Sequence, residues 1–148
     1  MKTYTYNYPK PSVTTDCIIT RLYNNKKEIL LIKRKFDPFM GKWALPGGFV
    51  EIEEDLLDGA LRELEEETGL TGIALQQFKT YGSPGRDPRG RTISVVYTGF
   101  VKENSVRIQA SDDASKANWF QVDDLPALAF DHDKILNDFF AQLKHYPD

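Results

Sequence analysis

The sequence predicts an α/β sandwich, in which a mixed β-sheet lies between helices. Two segments, residues 55–68 and 131–146, have apolar residues at helical spacing, so each has one face to bury. Runs rich in Val, Ile and Thr stand before the first helix and between the two helices, and they favour strands. This order of elements suits a sheet covered by helices, and 148 residues are enough for one domain with a hydrophobic core.

The strands are predicted from short apolar runs that end at turn residues. The first two, residues 13–23 and 28–34, form a hairpin through Asn24 and Asn25. Further strands are predicted at residues 73–81, 92–101 and 117–122, and residues 111–114 are predicted to form a short loop or a helical turn.

Residues 1–12 are predicted to form an N-terminal arm. Tyr4, Tyr6 and Tyr8 alternate with other residues before two prolines, which is typical of an extended arm or a short edge strand. We expect the three rings to pack on the body of the protein or on a partner chain, with stacking on a base as the alternative.

The bulk composition excludes several classes of function. A net charge of −3 argues against general nucleic-acid binding, which depends on a surplus of Lys and Arg. The first residues lack the apolar core of a signal peptide and no window approaches a membrane span, so we expect a cytoplasmic protein without membrane contact. Cys17 is the only cysteine and lies in an apolar run, so we expect a buried thiol and no disulfide.

The stretch from residue 47 to residue 70 is the most informative part of the chain. Gly47 and Gly48 mark a turn or the end of a strand, because glycine accepts backbone angles that other residues avoid. The helix that follows has Asp55 as a candidate cap and ends at Gly69, which suits a left-handed C-terminal position.

Three carboxylates stand on one face of this helix. Glu63, Glu66 and Glu67 occupy positions i, i+3 and i+4, a spacing at which like charges weaken a helix by a few tenths of a kcal/mol per pair. A hard divalent cation would explain them, because Mg²⁺ takes carboxylate oxygens. Arg62, one turn before Glu66, is placed to orient the acidic cluster. A solvated acidic face is the alternative, but it leaves the preceding glycine pair unexplained.

The fixed offsets in this stretch are those of a known signature. It is identified as a Nudix box, which it matches at every specified position: Gly48, Glu54, Arg62-Glu63-Leu64, Glu66-Glu67 and Gly69-Leu70. The resemblance implies the α/β/α Nudix fold and a pyrophosphohydrolase that acts on nucleoside diphosphates linked to another moiety, with Mg²⁺ or Mn²⁺. It implies metal ligation by the carboxylates of Glu63, Glu66 and Glu67 and by the Gly47 carbonyl, and an ion pair between Glu54 and Arg62. It also makes a homodimer plausible.

A second candidate site lies outside the box, at residues 82–91. Three Gly and two Pro preclude regular structure there, and Arg86, Arg89 and Arg91 make the segment locally basic. It is either a mobile, solvated loop or a loop that binds diphosphate and ribose, in which arginine forks hold phosphate oxygens. In the second case Asp87 holds one arginine or accepts a hydrogen bond from a ribose hydroxyl.

Four other residues are weaker candidates. Arg34, at the end of the second strand, is either a solvated strand end or a phosphate contact. Asp112 and Asp113 are either ordinary surface residues or a source of an extra metal ligand or of the base that activates water. His132 is expected to make a structural hydrogen bond rather than to take part in catalysis.

The choice of substrate depends on Pro84 and its surroundings. Pro84 stands fifteen residues after Gly69 and resembles the proline marker found downstream of the box in ADP-ribose pyrophosphatases. Residues 83–91 and 128–132 are also similar to members that hydrolyse ADP-ribose in NAD turnover. The resemblance therefore implies hydrolysis of ADP-ribose to AMP and ribose 5-phosphate, with an aromatic side chain on the adenine.

Two alternatives stay open. One is another substrate within the same class, such as a nucleoside triphosphate, an oxidised nucleotide or a different nucleotide sugar. The other is a non-catalytic ADP-ribose sensor, as in NAD-metabolism regulators that carry a winged helix after a Nudix-like domain. The 148 residues leave no room for a winged helix and the box keeps every acidic ligand, so we expect an enzyme.

Overall fold

The computed structural model describes residues 2–102 and 114–144. Within them, seven strands form one sheet and two helices accompany it. The elements are β1 (Ser12–Tyr23), β2 (Lys26–Arg34), β3 (Trp43–Ala44), β4 (Gly47–Phe49), α1 (Leu56–Thr68), β5 (Gln76–Tyr81), β6 (Thr92–Val101), β7 (Ala114–Gln121) and α2 (His132–Lys144).

The sheet is mixed, as predicted, and β1 is its central strand. β1 runs parallel to β6 along one side, over ten paired residues from Ser12 to Arg21. On its other side β1 pairs antiparallel first with β4 and then with β2, which forms the predicted hairpin. A parallel pair needs a crossover connection, and α1 lies in the chain between β1 and β6. This arrangement brings β4, the start of the Nudix box, against the middle of the sheet.

The core lies on both faces of the sheet. Along β1, Cys17 and Ile19 face a cluster that includes Leu64 of α1, whereas Ile18 faces a cluster that includes Ile135 of α2. Successive residues of a strand point to opposite faces, so the unbroken apolar run in β1 serves both layers. The predicted sandwich of helices around a mixed sheet is confirmed. In the part of the chain that the structure describes, neither helix is long and apolar enough to cross a membrane.

Several boundaries differ from the sequence prediction. The strand predicted from residue 73 begins at Gln76, and the strand predicted from residue 117 begins at Ala114, where a loop or helical turn was expected. The first of these errors arose because Ile73 and Leu75 are apolar for another reason: they pack against the core cluster beside α1. The second arose because β7 is specified by its pairing with β2, which local composition does not reveal.

The N-terminal arm differs from two of the alternatives expected for it, an edge strand and packing on the body. Residues 2–11 are not part of a strand, and the rings of Tyr4, Tyr6 and Tyr8 are exposed rather than packed on the body of this chain. Pro9 and Pro11 lack the backbone N–H that pairing needs, which explains why the strand starts only at Ser12.

Candidate active site

One cavity of about 380 Å³ collects most of the predicted functional residues. Its walls come from β1, β2, β4, α1, the 82–91 segment and the chain just before α2. The predicted residues that line it are Arg34, Gly47, Arg62, Glu63, Glu67, Arg86, Asp87 and Arg89. Glu54, Glu66, Pro84 and Arg91 are outside this lining, and Asp112 and Asp113 lie outside the described residues.

The glycine pair makes room for carboxylates. Both glycines lie at the start of β4 and neither has a positive φ, so of the two expected positions the turn is wrong and a strand terminus is what the structure has. A Cβ on Gly47 would overlap the Thr15 carbonyl oxygen and the Asp16 carboxylate. A Cβ on Gly48 would lie 2.6 Å from Oε1 of Glu63. Because Gly47 and Gly48 have no side chains, the carboxylates of Asp16 and Glu63 can lie directly against the backbone of β4, and we call this surface the cradle.

The three carboxylates of α1 are not equivalent. Glu63 and Glu67 are buried in the cavity wall, whereas the side chain of Glu66 is 43% exposed and is not part of the cavity lining. Glu67 Oε1 accepts a 2.7 Å hydrogen bond from the Gly47 N–H, and Glu63 and Glu66 both accept from Nη1 of Arg62. In this arrangement the described residues contain no group of three acidic, histidine or cysteine side chains that converges on one point.

The donor set nevertheless suits a hard divalent cation. Buried carboxylates are costly unless they are hydrogen-bonded, paired with a cation or bound to a metal. The side chains of Glu63 and Glu67 are buried and accept hydrogen bonds from Arg62 and from the Gly47 N–H, and a Cβ at Gly48 would fill the space beside the Glu63 carboxylate. Carboxylate and carbonyl oxygens are the ligands that Mg²⁺ and Mn²⁺ prefer. The residues present therefore fit the metal that the box implies.

Arg62 braces this acidic wall, as the sequence predicts. Its Nε donates to Oε2 of Glu54 at 2.7 Å and its Nη2 donates to Oε1 of Glu54 at 2.9 Å, so the two residues form a bidentate ion pair. A third nitrogen reaches Oε1 of Glu63 at 3.0 Å. The Arg62 hydrogen bond, helped by the Glu51 backbone N–H, holds the pKa of Glu54 at about 2. Glu54 thus fixes an arginine that in turn orients a predicted metal ligand.

The 82–91 segment is tied to the body by two ion pairs. Arg86 donates to both carboxylate oxygens of Asp131, at 2.9 Å from Nε and 2.7 Å from Nη2. Arg89 is held by Asp87, which accepts from its backbone N–H, its Nε and its Nη2. Burial alone would raise the pKa of Asp87, but these hydrogen bonds and the positive charges hold it below its usual value. Of the two sequence alternatives, the solvated loop is wrong for these residues, because Arg86 and Asp87 are almost fully buried.

Of the other two basic candidates, Arg34 lines the cavity and Arg91 does not. Arg34 lines the cavity, where its Nε donates to the Pro38 carbonyl at 2.7 Å. Arg91 instead donates to the Gly82 carbonyl and is exposed, so the structure does not bring it to the cavity. The reason is position: Arg91 directly precedes β6, so its backbone runs into the sheet.

Asp16 is a cavity residue that the sequence analysis missed. It is buried in the middle of β1 and accepts a hydrogen bond from Oγ of Ser94, and its Oδ1 lies 3.8 Å from Nε2 of His132. Nδ1 of His132 accepts a 3.0 Å hydrogen bond from the Leu45 N–H, so the predicted structural hydrogen bond is present. Burial lowers the pKa of His132, although Asp16 opposes this. The signal for Asp16 was that it is the single acidic residue of the strand predicted at residues 13–23.

Cys17 follows Asp16 and is fully buried, as predicted. Its thiol points at the Ala60 carbonyl of α1. Burial raises the pKa of the thiol strongly, and the neighbouring charges of Asp16, Glu67 and Glu63 add to this. The thiol is therefore a core contact beneath the acidic wall.

Comparison with known proteins agrees with this geometry. The NUDIX domain model matches residues 13–142. The chain belongs to the Nudix family. It is 46% identical over 132 residues to an ADP-ribose pyrophosphatase of Methanocaldococcus jannaschii, covering 89% of this chain and 75% of that protein. The expectation of a Nudix pyrophosphohydrolase is thereby confirmed.

A transcriptional repressor and a NUDIX domain in complex with ADP ribose are also similar to this chain. The ADPR responsive transcriptional repressor NtrR of Acinetobacter baylyi is 38% identical over 143 residues, which cover 94% of this chain but only 57% of that repressor. Among solved structures, the NUDIX domain of Shewanella oneidensis NrtR complexed with ADP ribose superposes with a TM-score of 0.85 at 29% identity. That match covers 92% of this chain and 90% of the other.

Proposed function

We propose that this Nudix hydrolase cleaves the diphosphate of ADP-ribose to AMP and ribose 5-phosphate, with Mg²⁺ or Mn²⁺ in its acidic wall. The observation that carries the proposal is a single cavity lined by both signs of charge. Glu63 and Glu67 line it as acids, and Arg34, Arg86 and Arg89 line it as cations. A diphosphate bound to a divalent cation needs both kinds of neighbour. The Methanocaldococcus jannaschii relative supports ADP-ribose as the substrate.

The metal would be held by α1 and β4. Glu63, Glu66 and Glu67 would supply carboxylate oxygens, and Gly47 would supply its carbonyl. A bound divalent cation there would neutralise phosphate charge and lower the pKa of a bound water, as Nudix hydrolases generally require. Arg62 keeps Glu63 in place through its 3.0 Å hydrogen bond, and Glu54 keeps Arg62 in place.

The cations of the cavity would bind the substrate. Arginine forks suit phosphate oxygens because their donors lie in a plane with the spacing of two oxygens. Arg86 and Arg89 are each held by a carboxylate, so little side-chain entropy is lost when an anion binds. The loop that carries them is thus set in advance beside the acidic wall, which favours the reacting geometry.

A sensor is the second candidate, because the repressor from Acinetobacter baylyi is similar over most of this chain. The buried pair Glu63 and Glu67 favours the enzyme, since a binding module has no need for two costly buried carboxylates beside an anion site. We therefore place hydrolysis first and retain ADP-ribose as the ligand in either case.

A substrate panel tests the proposal. Product release with Mg²⁺ would be measured for ADP-ribose, other ADP-sugars, NADH, dinucleoside polyphosphates and nucleoside triphosphates, with chromatography to identify AMP. We expect kcat/KM to favour ADP-ribose by at least about tenfold, which is ~1.4 kcal/mol of differential transition-state binding. The Glu67→Gln variant, prepared in the same way, controls for a contaminating hydrolase.

Each other outcome has a definite meaning. A preference for triphosphates would overturn the substrate while leaving the metal site in place. Absence of turnover, together with tight calorimetric binding of ADP-ribose, would overturn the enzyme and favour the sensor.

A further inference from the structure

The ring of Phe130 contacts two arginines of the cavity, Arg34 and Arg89. The centre of its ring is 4.9 Å from the guanidinium carbon of Arg34 and 5.0 Å from that of Arg89. Arg34 ends β2, whereas Arg89 belongs to the 82–91 segment, so the two cations come from parts of the chain that are distant in sequence. All three residues line the cavity.

The ring of Phe130 is held from several sides. Its backbone has φ of 53°, a left-handed conformation that is uncommon for a bulky residue and is kept where the surroundings require it. The ring of Phe39 packs at 4.8 Å and that of His132 at 5.4 Å between centroids. His132 is anchored in turn to the Leu45 N–H. Phe130 is therefore a fixed surface against which long side chains can be placed.

Two guanidinium groups beside one ring repel each other, and the ring opposes that repulsion. The face of an aromatic ring carries negative charge density, so it attracts each cation. Each arginine also has contacts of its own: Arg89 pairs with Asp87 at 2.8 Å and lies 4.6 Å from the ring centre of Phe49, and Nε of Arg34 donates to the Pro38 carbonyl at 2.7 Å. These partners fix each cation separately, whereas Phe130 is the contact that the two cations share.

We propose that Phe130 is a positioning residue that holds Arg34 and Arg89 together as a paired cation site for two neighbouring phosphates. The site then distinguishes a diphosphate, which engages both guanidiniums, from a monophosphate, which engages one. This inference rests on the proposed function for its location at the reacting diphosphate. It assigns no contact between Phe130 and the reacting atoms.

Equilibrium binding of ADP and AMP in Mg²⁺ buffer, measured by calorimetry, tests the pairing. Phe130→Leu keeps apolar volume and removes the ring. It should weaken ADP binding about tenfold and AMP binding less than about threefold, since two cation–ring contacts are lost for a diphosphate. Phe130→Tyr keeps the ring and should bind ADP within about twofold of the wild type. With ADP-ribose, Phe130→Leu should raise KM and leave kcat nearly unchanged.

The matched control is Tyr23→Leu. Tyr23 makes the same kind of contact, with its ring 4.8 Å from the Arg21 guanidinium, but neither residue lines the cavity. This variant should bind ADP and AMP as the wild type does. If Phe130→Leu does not give a wild-type circular dichroism spectrum, Phe130→Met replaces it, because a flexible side chain of similar volume fills the same space.

Three results would overturn the pairing. These are equal losses for ADP and AMP, which would place the ring against the nucleoside; a Phe130→Tyr variant as weak as Phe130→Leu; and unchanged ADP binding in a folded variant without the ring. The proposed function fails separately, by absence of ADP-ribose turnover in the wild type, and ADP binding still tests Phe130 in that case.

Discussion

A single methyl group at Gly48 should displace the Glu63 carboxylate and slow turnover. In Gly48→Ala the new Cβ would lie 2.6 Å from both Cδ and Oε1 of Glu63, where ordinary contact begins at 3.4 Å. Gly48 does not have a positive φ, so alanine brings no backbone strain of its own. The methyl group therefore acts on the carboxylate, which is the flexible end of a side chain and can move.

The size of the effect follows from the overlap. The carboxylate must retreat by about 0.8 Å, the difference between 3.4 and 2.6 Å. A misplacement on the order of 1 Å in a catalytic group can cost about 10²-fold, or ~2.7 kcal/mol of transition-state stabilisation. The same movement strains the 3.0 Å hydrogen bond from Arg62. We expect kcat to fall about a hundredfold and half-maximal activation to need more Mg²⁺.

The assay is steady-state hydrolysis of ADP-ribose across a Mg²⁺ titration, with thermal melting as the measure of folding. Gly72→Ala is the control. Gly72 has φ of 70° and open space around it, so alanine there should cost roughly 1–2 kcal/mol of stability without touching the cavity. If Gly48→Ala keeps a kcat and a Mg²⁺ dependence within about threefold of the wild type, Glu63 is not the metal ligand that the cradle implies.

Three further predictions concern residues that hold the site together. Glu67→Gln should lower kcat by orders of magnitude with little change in melting temperature, because the amide loses the anionic ligand but can still accept the Gly47 N–H bond. Arg86→Ala should raise KM about tenfold and change kcat far less, because a contact to phosphate that is equally strong in the bound substrate and in the transition state contributes to binding and not to the chemical step. Arg62 holds the pKa of Glu54 at about 2 instead of 4.5. The pair therefore stabilises the fold above about pH 4.5 and loses that effect as the pH falls towards 2. We expect the free energy of unfolding, measured with urea, to fall less between about pH 5 and about pH 3 in Glu54→Gln than in the wild type.

Each of these has a result that would contradict it. Near-normal turnover in Glu67→Gln would remove that residue from the metal site. An unchanged KM in Arg86→Ala would restrict Arg86 to its bond with Asp131, and Arg86→Lys serves as the variant that keeps the charge. Equal acid sensitivity in wild type and Glu54→Gln would mean that Glu54 titrates at its ordinary value in the folded protein.

Relations within one element could be predicted from the sequence. The helix that carries the box ends at Gly69 with φ of 79°, as its sequence predicts, and its 3.6-residue period places Arg62 one turn from Glu66. The ion pair between Glu54 and Arg62, which the resemblance to the Nudix box implied, is also present. The mixed sheet followed from the order of strands and helices.

Relations between elements depended on the tertiary structure. Ser94 reaches Asp16 across 78 residues, and Arg86 reaches Asp131 across 45. No local periodicity carries these pairs, because they arise from the parallel alignment of β1 with β6 and from the return of the chain before α2. The same holds for Phe130, whose neighbours come from β2 and from the 82–91 segment.

The sequence by itself therefore determined the family, the fold class and the carboxylates of the box, since these depend on spacing along one helix and on the alternation of elements. Only the tertiary structure decided which cations meet those carboxylates. It brought Arg34, Arg86 and Arg89 into the cavity and left Arg91 outside it, although all four were candidates in the sequence. The physical reason is that the sequence gives the charge of each side chain, whereas its position relative to the carboxylates depends on how segments far apart in the chain pack together.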